Sequence, residues 1–168
     1  MNMYDRKLLN GFFKGKFSKN QVVEKFDLDG LTPDVFISKE IESASNKENA
    51  DELEDAITLI FIFDEKNIPI AKLNSLLLEH WHYRHEDIAS LLQDAKSESS
   101  VDYLYKSIKQ KYNYLMFDDS CALAVKCIWG LGDINNEASI LKLLKLCKSD
   151  INVIRDNASA QLDKLSRL

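Results

Sequence analysis

Apolar residues recur along this chain at helical spacing. Val101, Leu104, Tyr105 and Ile108 stand at i, i+3, i+4 and i+7, and Ile140, Leu143, Leu144 and Cys147 repeat that spacing 39 residues later. Such a pattern places one apolar stripe along a helix. The same offset lays Leu92-Gln93-Asp94-Ala95 on Leu131-Gly132-Asp133-Ile134, so each copy reads as two helices joined by a short turn. Ile154, Ala158, Leu162 and Leu165 begin a third copy, falling on Leu123, Cys127, Leu131 and Ile134 at an offset of 31. The helix over 151–165 is expected to cap the array by covering Ile140, Leu143 and Leu144.

Upstream, Leu53, Ile57, Ile60 and Phe61 form another stripe, ended by the polar turn Asp64-Glu65-Lys66-Asn67. Pro69 then predicts the start of a helix over 70–81, because a missing backbone donor costs nothing in a first turn. Residues 81–84 lead into a helix with Glu86 and Asp87 at its positive end. Ser18 is the expected cap of a helix to Lys25, Asp27-Leu28-Asp29-Gly30 a turn, and Thr32-Pro33-Asp34 the start of a helix to Ser43. The aromatic run Tyr112-Asn113-Tyr114-Leu115-Met116-Phe117 is expected to lengthen the second helix of the middle repeat. Asp118 then caps the following helix, with Asp119 beside its dipole.

Composition supports helices. The 168 residues include 5 Gly and 2 Pro, far too few turn formers for a many-stranded barrel or sandwich. The expected fold is all-α: an αα-superhelix over 49–168, forming a single compact unit, with a helical N-terminal cap over 1–48.

The stretch from Ala122 through Trp129, Gly130, Leu131, Gly132 and Asp133 to Ile134, with the leucine-rich helix after it, resembles a HEAT-type repeat. Its pattern is a first helix of small and apolar positions, a Leu-Gly-Asp turn, and a second helix. Arg155 with Asn157-Ala158 opens the next copy in the same manner, whereas the earlier copy has Gln93 where the pattern has Gly. A HEAT-like C-terminal half behind an acidic front is similar to small bacterial immunity proteins of polymorphic and contact-dependent growth inhibition toxin systems. That resemblance implies a toxin inhibitor acting by protein–protein interaction on a cognate toxin domain, with no catalysis and no cofactor. Two alternatives belong to the same repeat class: an adaptor or scaffold subunit, and a HEAT-like enzyme of the DNA glycosylase or bilin lyase type.

Charge is unevenly distributed. From Glu40 to Glu65 nine acids face the single base Lys47, a balance of −8, while residues 103–168 carry ten bases and seven acids. An acidic segment repels phosphate and attracts basic protein surfaces, which disfavours nucleic acid, and with it a glycosylase, and favours a basic protein partner. The partner-binding candidates are Glu48, Asp51, Glu52, Glu54 and Asp55 on one acidic ridge, with Tyr103, Tyr112 and Tyr114 as aromatic anchors. No apolar run approaches a membrane span and the charged N-terminus lacks a signal sequence, so the expected location is cytoplasmic.

Other chemistry finds little support. His80, His82 and His85 are the densest potential metal ligands, but 80 and 82 point to opposite sides of a helix, and the expected role is a hydrogen-bonded turn. Asp27-Leu28-Asp29-Gly30 lacks the later ligands of a calcium loop, with Phe36 where the Glu belongs. Cys121, Cys127 and Cys147 form no Cys-x-x-Cys pair and read as small buried side chains. No catalytic residue is assigned.

Overall fold

The structure, a computed structural model, describes residues 1–116 and 121–167. Ten α-helices and no strand occur among the described residues, as the all-α expectation requires. The chain divides into two compact units, Met1–Pro69 and Ile70–Leu168. The expected boundary after residue 48 falls within the first of these units. The division instead follows Pro69, because the helix starting at Ala50 packs on the helix before it.

The first unit holds α1 (Met3–Phe13), α2 (Lys19–Lys25), α3 (Pro33–Lys47) and α4 (Ala50–Phe63). Ser18 caps α2 in a full capping box with Gln21, which satisfies two otherwise orphaned donors. Asp29 and Gly30 both take positive φ in the turn before α3, and Asn49 caps α4 through Glu52 N–H. α3 continues to Lys47, beyond the expected Ser43. Phe26 meets Phe36 and Phe63 edge-on, with ring centroids 5.6 and 5.8 Å apart, closing a core that contains Val22, Ile37, Ile41, Leu53 and Ile57. Phe61, expected in the buried stripe, is 42% exposed.

The second unit holds α5 (Ile70–Leu76), α6 (His85–Ala95), α7 (Val101–Ser107), α8 (Ala122–Ile134), α9 (Glu137–Leu146) and α10 (Asn152–Leu165). α8 packs against α6, α7, α9 and α10, and α7 touches α9. Leu104, Leu131, Leu143 and Ala158 of α10 are fully buried at these junctions, with Ile154 of α10 nearly so. Leu144 is 48% exposed, so α10 leaves uncovered a position that it was expected to cap. Gly132 lies inside the last turn of α8 rather than in a connecting turn; the reversal comes at Asn135, in the left-handed region at φ 50°. The Gln161 side chain of α10 lies over this glycine, with Cδ 2.9 Å from where a Cβ would stand. No helix among the described residues is long and apolar enough to cross a membrane.

Candidate functional site

Two helices of the second unit stop earlier than their apolar pattern predicts, and after the first of them side chains take up the backbone carbonyls. The last carbonyls of a helix have no intrahelical donor. After α5 those of Leu76, Leu77 and Glu79 are taken by the His82 ring at 2.9 Å, the Tyr112 hydroxyl at 2.6 Å and the His85 ring at 2.7 Å. The 70–81 helix therefore ends at Leu76. Likewise α7 ends at Ser107, and the aromatic run forms only a short 3-10 turn over Asn113–Leu115 instead of lengthening the helix.

The histidines stack. His82 and His85 lie 4.2 Å apart between ring centroids, and His85 lies 4.0 Å from Tyr112. Arg84 N–H donates to Nδ1 of His82, so the ring proton of His82 sits on Nε2 and points at the Leu76 carbonyl. His85 gives its Nε2 proton to the Glu79 carbonyl and meets the Tyr114 hydroxyl at Nδ1, 2.8 Å away. Burial holds His82 below the ordinary imidazole range and pushes His85 down to about 4. With the nitrogens of both rings occupied, the pair has no lone pair left for a metal. Among the described residues, no three His, Cys, Asp or Glu side chains are grouped to hold one.

This packing decides the fate of the aromatic candidates. Tyr112 is 4% exposed and belongs to the core, so it offers no surface to a partner. Tyr114 is partly exposed, with its hydroxyl committed to His85, and Tyr103 is partly exposed beneath Lys106. Phe117, Asp118 and Asp119 lie outside the described residues. Cys127 is buried, its thiol pushed up to about 12, but Cys121 and Cys147 are only partly covered, contrary to expectation.

Beside the 3-10 turn lies a cavity of about 770 Å3 with an apolar floor that includes Ile108, Leu123, Leu146 and Ile154. Lys109, Lys111, Lys145 and Lys148 stand on its rim. Apolar periodicity carries no sign of this concavity, and the basic balance of residues 103–168 is its trace in the sequence.

In the first unit the acidic ridge is only partly what the charge map implied. Glu52 receives Arg6 and Lys47, each at 2.9 Å, and these two cations hold its carboxyl below the usual range. Glu48 ends α3 in the left-handed region and is exposed, as is Asp51. Glu54 is half-buried. Asp55 is half-buried rather than on an outer ridge. Burial pushes its carboxyl up to about 6, against the opposing pull of Arg6. Asp51 and Asp55 are one helical turn apart, and neither has an ion pair among the described residues.

No family profile matches the chain, and neither a curated protein nor a solved structure matches it significantly.

Proposed function

We propose that this protein is a protein-binding module, an immunity protein that holds and neutralises a cognate bacterial toxin domain with a basic surface. In this reading Ile70–Leu168 is a HEAT-like αα-repeat. Its support is the packing order: first helices of successive hairpins lie together (α6 on α8, α8 on α10), and α7 touches α9. Asp133 of α8 adds a polar ladder, receiving Gln93 of α6 at 2.6 Å and Lys164 of α10 at 3.2 Å. Burial alone would raise the Asp133 carboxyl, yet these two donors leave it lowered.

The observation that carries the functional reading is the partly buried carboxylate of Asp55 on α4, which the pull of Arg6 offsets only in part. Asp51 and Asp55 repel each other across one turn, and Asp55 is partly stripped of water without an ion pair among the described residues. A free module bears that cost to no benefit, whereas a basic partner surface relieves it. A nuclease groove, which must be positive to hold phosphate, is a surface of this kind. The module works in the cytoplasm, by occupying the toxin rather than by catalysis, and binds neither nucleic acid nor membrane.

The test is co-purification with the products of the neighbouring genes. A stable 1:1 complex that suppresses toxin activity is the expected result. A neighbouring protein that binds but has no toxic activity would replace inhibition with an adaptor role.

A further inference from the structure

We propose that the groove of the second unit is a docking site for an acidic amphipathic helix of a protein partner. The site is separate from the acidic edge of α4 and does not depend on it. Its apolar floor is not sealed by the chain's described residues: Met116 on the 3-10 turn side is 69% exposed, and Ile151 at the start of α10 is 52% exposed. Apolar side chains left open around a concavity of this size are a feature of binding grooves rather than of cores.

Charge identifies the occupant. Three lysines elsewhere in this unit are paired, Lys126 with Glu86, Lys142 with Asp102 and Lys164 with Asp133, at 2.8 to 3.2 Å, while Lys96 and Lys106, away from the groove, have no ion pair among the described residues. The four groove lysines have no ion pair among the described residues, and no acid is found among the described residues that line the groove. Lys145, in the last turn of α9, is favoured by the helix dipole, but Lys109, Lys111 and Lys148 lie beyond the helix ends.

The four cations also come from two separate elements, Lys109 and Lys111 after α7, and Lys145 and Lys148 at the end of α9. One carboxylate head, as on a fatty acid, reaches only part of such a set. A helix with apolar residues at i, i+3, i+4 and i+7 and glutamates on both flanks fills the floor and meets lysines from both elements. Lysine is suited to this task, since its point charge tolerates varied carboxylate geometry.

Fluorescence anisotropy of the full chain against a labelled 14-residue peptide with leucines at those positions and glutamate flanks tests the proposal, with a lysine-flanked peptide of the same leucine pattern as control. The glutamate peptide is expected to bind at least tenfold more tightly than its control. Lys109→Glu/Lys145→Glu, on exposed positions, is expected to weaken it at least tenfold with unchanged circular dichroism, and the uncharged Met116→Ser to weaken it through the lost apolar contact. Equal binding of the two peptides, or no loss in the lysine variant, overturns the proposal. So does displacement of the peptide by dodecanoate with equal affinity for the lysine variant. Asp118 and Asp119 stand in sequence between two lining residues. If only Asp118→Asn/Asp119→Asn binds the peptide, the lysines serve the chain's own carboxylates and the docking site is refuted.

Discussion

The Tyr114 hydroxyl lies 2.8 Å from Nδ1 of His85, while Nε2 of the same ring, 2.7 Å from the Glu79 carbonyl, closes the turn after α5. The ring is a neutral bracket between two chain segments. Its folded-state value of about 4 lies below the ordinary 6.5, so the unfolded chain takes up a proton that the folded one refuses. The bracket's contribution is fully present above pH 6.5 and is lost as pH falls toward 4. After allowance for screening, the loss should be about 1 to 2 kcal/mol. Denaturant midpoints of wild type and His85→Gln, taken from pH 7 to pH 4, should converge on acidification. Tyr114→Phe, which leaves the ring nitrogen without its donor, should cost about 1 kcal/mol at pH 7. A constant gap between wild type and His85→Gln would show that the ring is not held neutral.

Leu143 and Leu144 are adjacent on α9 and differ in environment, the first fully buried and the second 48% exposed. Leu143→Ala should cost about 2 to 5 kcal/mol through lost burial and the cavity left behind. Leu144→Ala should cost less than about 1 kcal/mol. Urea unfolding of the pair checks the register of α9: equal losses would mean that the helix is rotated from the position described.

Asp55 is destabilising when ionised. Its carboxyl is raised to about 6 from an ordinary 3.8, so the folded state holds the proton more tightly than the unfolded one. The penalty is absent below about pH 4 and complete above about pH 6, the reverse of the histidine case. Asp55→Asn should therefore stabilise the protein at pH 7.5 by about 1 kcal/mol, with solvent screening counted, and give no advantage at pH 4. A stabilisation that does not vary with pH would exclude desolvation as its cause.

Helix positions were legible in the sequence wherever an apolar stripe had a clear stop. Ser18, Thr32 with Pro33, and the polar turn at Asp64 all mark real boundaries. Failures came where long-range side chains overrode the local pattern. Leu77 and Leu78 continue the α5 stripe, but the Tyr112 hydroxyl, 35 residues away, draws the Leu77 carbonyl out of a helical ladder. Periodicity carries no signal for such a bond. The Leu-Gly-Asp segment reads as a turn because glycine in a helix is normally a defect, and the Gln161 side chain that lies over Gly132 comes from α10, beyond the reach of a local pattern. Charge counting located the acidic segment but not its pairing: Arg6, distant in sequence, pairs with Glu52 and also draws on Asp55, whose raised carboxyl comes first from burial. The groove lysines were likewise counted but not located, since they gather from segments about 35 residues apart.

The central functional claim is that the α4 acids guide a basic partner. It is tested most directly by the association rate of the proposed toxin partner at low and high ionic strength. Glu48→Lys/Asp51→Lys is the appropriate variant, because both positions are exposed and neither has an ion pair among the described residues, whereas Glu52 holds Arg6 and Lys47. Screening shortens the reach of a charge from about 30 Å at 0.01 M salt to about 8 Å at 0.15 M. The wild-type rate should fall about tenfold or more across that range, and the variant should associate slowly with little salt dependence. A variant that associates at the wild-type rate, with neither protein sensitive to salt, would place the acidic edge outside the interface.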